Sequence, residues 1–428
     1  MRRFRLKMRT KMAGGLIVFA AVIVIAIAIA IVMLNVHRQP EAEQPLQVSH
    51  ENPQQLILSF GEEQDAVTLS WKGDQTGPGV FRWADSEEGL LSAAWMHARR
   101  TSIQKGAYWR YSIQLEDLQA GQTYWYQLGD GIDFDAPKTF CAPEADQTVK
   151  LLLFADPQFE TSTEEYRDWG AMAANAVQQI PELDFAVLAG DMVNDPTDLK
   201  QWNAFLDQCG VFQQLPMVTV PGNHEGVRSN HTYHRLFPDA GSSLFQGFGF
   251  LDYGCCRLLL LDSSFLEEAR SEEMGVRAWE TAEQTIEAWL TDTLKNSKKA
   301  WNIVIVHHPP YGMHDRKTVS PQIRERWTPI MEQYGVDLVF SGHQHMYLRT
   351  AKINGILYVM GNSGGMQSNY YSGYNAPLYA ECVFGKGANY QCIEATDHEL
   401  KLTAYSKKGF IIDETSISKE SFLSDLFR

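Results

Sequence analysis

Leu215-Pro216-Met217-Val218-Thr219-Val220-Pro221-Gly222-Asn223-His224-Glu225 is the stretch from which the rest of the chain can be read. The apolar run from Leu215 to Val220 reads as a buried strand that ends in a tight Pro-Gly turn. A strand ending this way leaves the next side chains at the carboxyl edge of a sheet, where α/β proteins place their chemistry. There, Asn223 and His224 offer a carbonyl oxygen to a metal and an imidazole to a substrate. Taken alone, Pro221 to Glu225 is equally well a turn with a capping Asn and an incidental His. Four further stretches decide between the two.

On either side of it lie more nearly continuous apolar runs: Val149 to Ala155, Asp184 to Ala189, Arg257 to Leu261, Asn302 to Val306 and Asp337 to Phe340. Helical patterns separate most of them, such as Glu164 to Gln179 and Val276 to Leu294, the second with Trp279, Ala282, Ile286, Trp289, Leu290 and Leu294 on one face. Strands this apolar, alternating with helices, imply an α/β domain whose sheets are covered by helices on their outer faces. Most of these runs end in a potential metal ligand. Asp156-Pro157-Gln158 follows the first and Gly190-Asp191 the second, while His307-His308-Pro309-Pro310 and Gly342-His343-Gln344-His345 follow the last two. Each motif has a mundane account by itself, Asp191 as a helix cap or His308 as a solvated turn residue, but five such coincidences at one edge are hard to credit. Two carboxylates, one Asn oxygen and several imidazoles suit a pair of divalent cations, with Asp191 able to bridge both. Cations about 3.5–4 Å apart share a hydroxide and clamp the attacking and leaving oxygens of a displacement at phosphorus. His343 and His345 alternate on an extended turn, so that one faces each metal.

Upstream, from Pro53 to about Pro143, the pattern shortens. Leu56 to Phe60, Ala66 to Trp71, Gly79 to Trp83, Tyr108 to Leu115 and Thr123 to Leu128 read as strands of a seven-strand β-sandwich of about 100 residues. Leu118 to Tyr124 reads as its tyrosine corner, which makes Tyr124 structural. At the amino terminus, Arg2, Arg3, Arg5, Lys7, Arg9 and Lys11 precede an uncharged run from Ala13 to Val36. That run matches the roughly 20 residues that cross a bilayer, and reads as an uncleaved signal-anchor with the body on the extracytoplasmic side of the cell membrane. The expected organisation is a basic stub and anchor (1–37), a linker (38–52), the sandwich (53–143), the α/β domain (148–410) and a tail (411–428).

The 428 residues, 44% hydrophobic and 21% charged, are those of a globular protein. A net charge of -15 that would be larger still without the basic stub argues against nucleic-acid partners, because phosphate polymers are repelled without a basic patch. A small phosphate ester remains compatible with an acidic body if bound cations attract it. The six cysteines show no CxxC spacing, which removes zinc-ribbon and thioredoxin readings.

In this order, DxQ, GD, GNHE, HHPP and GHxH resemble the calcineurin-like metallophosphoesterase family, and the sandwich before them resembles the amino-terminal domain of purple acid phosphatases. The resemblance implies a four-layer αββα fold of two mixed sheets with helices outside, preceded by a fibronectin III-like sandwich. By position it implies Asp156, Asp191 and His345 on one metal and Asp191, Asn223, His307 and His343 on the other. His224 is implied as the group that contacts phosphate and protonates the leaving oxygen or stabilises transition-state charge, with His314 as a further substrate contact and His308 behind the ligands. The expected activity is hydrolysis of phosphomonoesters by a metal-bound hydroxide. A phosphodiesterase or nucleotide pyrophosphatase using the same site, and a surface binding module with a decayed site, stay open.

Three departures from the family pattern matter. Gln158 stands where the first motif usually has His, and either binds through its carbonyl or leaves a water. Asn194 stands where purple enzymes have the metal-binding Tyr, so the tyrosinate-to-iron charge transfer behind their colour is not expected. Asn194 also stands where many phosphoesterases have the Asp that orients the GNH histidine, leaving Asn194 or Asp195 to serve. With Tyr311 approaching from the wrong side, a colourless enzyme is expected, with manganese favoured at the nitrogen-poor first site and zinc or iron tolerated at the second.

Overall fold

A computed structural model describes residues 49–419, apart from 62–65, 74–76, 78, 145–147, 227–231, 315–318 and 369–375. The expected membrane span 13–36 lies outside the described residues, among which no helix is long and apolar enough to cross a membrane.

Period-two alternation along the parallel strands decides the architecture. In Val149–Phe154, Leu151 and Leu153 join one core while Leu152 and Phe154 join another. In Cys256–Leu261, Leu258 and Leu260 enter that same first core while Leu259 and Leu261 enter a third. The shared core is therefore the interior between two sheets, because each strand buries both of its faces. Helices Glu165–Gln179 and Leu199–Leu206 cover the outer face of the first sheet through Trp169, Met172, Trp202 and Phe205. Val276–Lys295 and Val319–Arg326 cover the second through Ile286, Leu290 and Ile323. The expected four layers are present.

The first sheet has six strands, in the spatial order Met217–Val220, Phe185–Ala189, Val149–Phe154, Asn389–Ala395, Glu399–Ser406 and Ile411–Ser418. The second has eight, in the order Ser242–Phe245, Phe248–Tyr253, Cys256–Leu261, Trp301–Val306, Leu338–Ser341, Leu357–Met360, Tyr347–Thr350 and Ala380–Phe384. Three strands of the first sheet and four of the second run parallel, so their carboxyl ends gather at one edge. Residues 411–418, expected as part of a tail, instead pair with Glu399–Ser406 as the edge strand. Their mostly polar, partly exposed side chains gave no apolar run to read.

Ahead of this domain lie two four-stranded antiparallel sheets. The backbone N–H of Gln119 donates to the Tyr124 hydroxyl at 3.0 Å, which is the expected tyrosine corner. Instead of seven strands there are eight short ones, because Trp95–His97 pairs in one sheet and Arg99–Ile103 in the other, changing over at Ala98. Trp95–His97 is only three residues long and Arg99–Ile103 is mostly polar, so neither gave an alternating apolar run to read. Phe60 packs edge-on to Phe185 and Tyr253, ring centroids 5.3 and 5.7 Å away, and so ties the sandwich to the α/β core. The last residues of the expected linker are also held, since Gly210 donates to the His50 carbonyl at 2.9 Å and Asn52 to that of Asp207 at 2.7 Å. All six cysteines are free thiols.

Candidate metal centre

Sharp turns at the strand ends aim the ligands. Asp156, Asp191, His343 and His345 all adopt left-handed backbone conformations, with φ of 51°, 53°, 76° and 52°. Each costs a non-glycine residue on the order of 1–3 kcal/mol, and such strain clusters where a site dictates side-chain direction. Close approach of the turns demands glycine between them. A Cβ on Gly222 would lie 2.1 Å from Asp191 Oδ1, and one on Gly342 would lie 2.4 Å from Asp156 Oδ2.

The turns bring together two groups of ligand atoms, each within 4.8 Å of one another: Asp191, His307 and His343, and Asp156, Asp191 and His345. Asp191 belongs to both. His307 Nε2 lies 3.0 Å from Asp191 Oδ2 and 3.2 Å from Asn223 Oδ1, and His343 Nδ1 lies 2.8 Å from that same Asn223 oxygen. The Asn223 oxygen therefore lies beside the group of Asp191, His307 and His343. His307 Nδ1 donates to the Ala189 carbonyl at 2.8 Å, which leaves Nε2 turned to the ligands.

Gln158 is fully buried beside the group of Asp156, Asp191 and His345. Its amide nitrogen lies 3.1 Å from His345 Nε2 and 3.4 Å from Asp191 Oδ2, and its Oε1 has no hydrogen-bond partner. A half-turn of the amide exchanges these atoms and points the unused oxygen at the ligand group, so the donor set fits a cation there. Electrostatics fit as well. Burial drives Asp156 well above the usual carboxylate range, with Asp191 adding to the rise and His307 opposing it. Burial also works against charge on Asp191, but His307, His224 and His343 hold its carboxyl below the usual range. Burial works to lower His307, yet Asp191 and Asp156 raise it to about 9. Bound cations would replace that proton and relieve the paired carboxylates.

His224 stands beside the groups without joining either. Its backbone N–H donates to Asp191 Oδ1 at 3.0 Å, and its Nδ1 donates to the Asn194 carbonyl at 2.7 Å, leaving Nε2 for a substrate. The orienting partner is the Asn194 backbone carbonyl rather than either expected side chain. The Asn194 amide donates to the Phe159 carbonyl at 2.9 Å, and Asp195 is turned toward Thr197. His314 sits on a loop tied to the His343-His345 turn, its carbonyl accepting from Gln344 Nε2 at 2.9 Å. Tyr311 packs against Tyr358 and Tyr379, with centroids 4.7 and 5.7 Å away.

Three contributors escaped the sequence reading. Ser263, after the Cys256–Leu261 strand, bonds His308 Nδ1 at 2.9 Å, and the buried His308 ring lies 4.2 Å from that of His343. Burial lowers His308 to about 4, so it braces its neighbour as a neutral ring. Ser264 donates to the Gly222 carbonyl at 2.9 Å, and Glu225 accepts from the backbone of the Asp191 turn at 2.8 Å. Serines at a strand end carry no distinctive signal. The Glu of GNHE did have one, its place inside the motif.

Together the fold and the site define a metal-dependent phosphoesterase. Residues 149–347 match the calcineurin-like phosphoesterase family and residues 53–141 match the purple acid phosphatase N-terminal domain. The chain thus carries a calcineurin-like metallophosphoesterase domain behind a purple acid phosphatase N-terminal domain. Among its relatives, probable inactive purple acid phosphatase 1 of Arabidopsis thaliana is 22% identical over 452 residues, covering 87% of this chain and 71% of its own. Purple acid phosphatase 1 of Ipomoea batatas is 22% identical over 387 residues, covering 84% and 76%. The solved structure of purple acid phosphatase PPD1 from yellow lupin (Lupinus luteus) seeds superposes with a TM-score of 0.67 at 16% identity, over 88% of this chain and 76% of that one, a likeness of fold.

Proposed function

We propose that this protein is a membrane-anchored, extracytoplasmic phosphomonoesterase that uses two divalent cations. The observation that carries the reading is the sharing of Asp191 between two ligand groups, with His224 oriented beside them through its Nδ1. When bound, the cations supply an activated water and neutralise charge on the phosphoryl oxygens. Asp156, Asp191, His345 and Gln158 through its Oε1 would hold one; Asp191, Asn223, His307 and His343 would hold the other. His224 Nε2 faces the ester and donates a proton to the leaving oxygen or stabilises its charge, while His314 contributes from the rim. The monoester preference draws support from the purple acid phosphatase type of the sandwich. Two relatives bear the word inactive in their names; here Gln158 and Asn194 stand in place of family ligands, but the buried Gln158 keeps a usable oxygen. The first position is poorer in nitrogen and favours manganese; the second, with two imidazoles, accepts zinc or iron. The anchor rests on the uncharged run from 13 to 36 behind a basic stub.

The test is hydrolysis of an aryl phosphate and a bis-aryl phosphate by detergent-extracted full-length protein, titrated with manganese, zinc and iron. Faster turnover of the monoester supports the reading, and preference for the diester would replace it with a phosphodiesterase. No bound metal and no hydrolysis would leave a surface binding module.

A further inference from the structure

Glu225 has no part in the chemistry described so far, yet it is only 1% exposed. Its carboxylate accepts four backbone N–H groups. Oε2 takes those of Asp191 at 2.8 Å and Gly222 at 3.0 Å, and Oε1 those of Met192 at 2.8 Å and Val193 at 3.1 Å. Both of its oxygens are filled by N–H donors, so this side chain clamps the two backbone segments that donate to it. The donors come from two strand-end turns, one after Phe185–Ala189 and one after Met217–Val220. Three of them are consecutive residues of the turn that opens at Asp191, itself held at a φ of 53°. The next residue in that turn is Asn194, whose carbonyl accepts from His224 Nδ1 at 2.7 Å. One buried carboxylate therefore fixes the backbone of the shared ligand and, three residues on, the atom that orients His224.

We propose that Glu225 is a positioning residue: by clamping the Asp191–Asn194 turn it couples the affinity for both cations to the orientation of His224. The inference rests on the dimetal reading of the site. A residue that merely fills space would need only the volume of glutamate, which glutamine supplies. Glutamine, however, offers one acceptor oxygen, so two of the four N–H groups would lose their partner and face an amide nitrogen.

The experiment compares native full-length protein with Glu225→Gln and Glu225→Asp. Metal content is measured after dialysis against graded chelator, and turnover is measured at saturating metal. The His224 ring is followed by 15N NMR in the metal-free protein. The expected result for Glu225→Gln is loss of both metals together at about tenfold lower chelator. A kcat at least tenfold below native at saturating metal should accompany it with KM little changed, as should a His224 Nδ1–H that no longer resists exchange. Glu225→Asp, charged but shorter, should fall between. Native metal retention, kcat and His224 signal in Glu225→Gln would overturn the proposal, even with a lower Tm. Failure of both variants to fold would overturn it too, making Glu225 a residue of the fold. If the native protein binds no pair of metals, the functional reading fails instead, and the NMR comparison still judges the Glu225–His224 link.

Discussion

Gln158 is one of two positions where this chain departs from the expected ligand pattern, and its unused buried oxygen turns the departure into a prediction. Gln158→Ala should weaken the cation held by Asp156, Asp191 and His345 by about tenfold, the low end of what a ligand-shell change costs. The other cation should be less affected, because the Gln158 amide lies against His345 and Asp191, toward the first cation. Sequential metal loss by elemental analysis checks this; equal loss of both would contradict it. His307 supplies a second prediction. Its folded pKa is raised to about 9 without metal, so a cation must displace a proton from it at neutral pH. Apparent affinity should therefore rise with pH up to about 9, by up to about tenfold per unit, and level off above. A titration by isothermal calorimetry between pH 6 and 10 measures the slope, and affinity independent of pH would rule out a protonated His307.

Most of the parallel strands announce themselves as apolar runs, and a candidate ligand follows five of them, so the edge that gathers the site was legible in the sequence. What the sequence concealed depends on pairing across long separations. Asn389–Ala395 pairs antiparallel with Val149–Phe154, and Ile411–Ser418 closes that sheet with a polar face no apolar pattern betrays. The orienting partner of His224 was hidden for another reason: a backbone carbonyl belongs to every residue, so Asn194 could not reveal that its carbonyl, not its side chain, would serve. The turns that carry the ligands leave no room, which yields a sharper test than the strands do. A Cβ on Gly222 would overlap Asp191 Oδ1 at 2.1 Å, so Gly222→Ala must displace the shared ligand or its turn. It should destabilise the protein by about 1–3 kcal/mol, the usual cost of overpacking, and abolish binding of both metals. Thermal unfolding with metal analysis checks both parts, and a variant that keeps its metals would show that the turns can yield.

In the whole molecule, two sheets with a common core place seven strand ends at one edge, and the sandwich is docked to that body through Phe60, Phe185 and Tyr253. Among the described residues no side chain of the sandwich belongs to either ligand group; its resemblance to the purple acid phosphatase N-terminal domain bears on the kind of ester. Colour follows from the ligands. With Asn194 bonded to Phe159 and Tyr311 packed among tyrosines, iron-loaded protein should show no intense visible charge-transfer band, and a band lost on mutating a tyrosine would contradict that. The central claim is that Asp191 serves two cations while His224 serves the ester. Metal stoichiometry and aryl phosphate hydrolysis, measured together on native protein, Asp191→Asn and His224→Ala, test it most directly. About two metals are expected in the native protein, with both metals and activity lost in Asp191→Asn. In His224→Ala the metal content should stay native while turnover slows about 10²–10⁴-fold. Metal loss in His224→Ala as complete as in Asp191→Asn would contradict it.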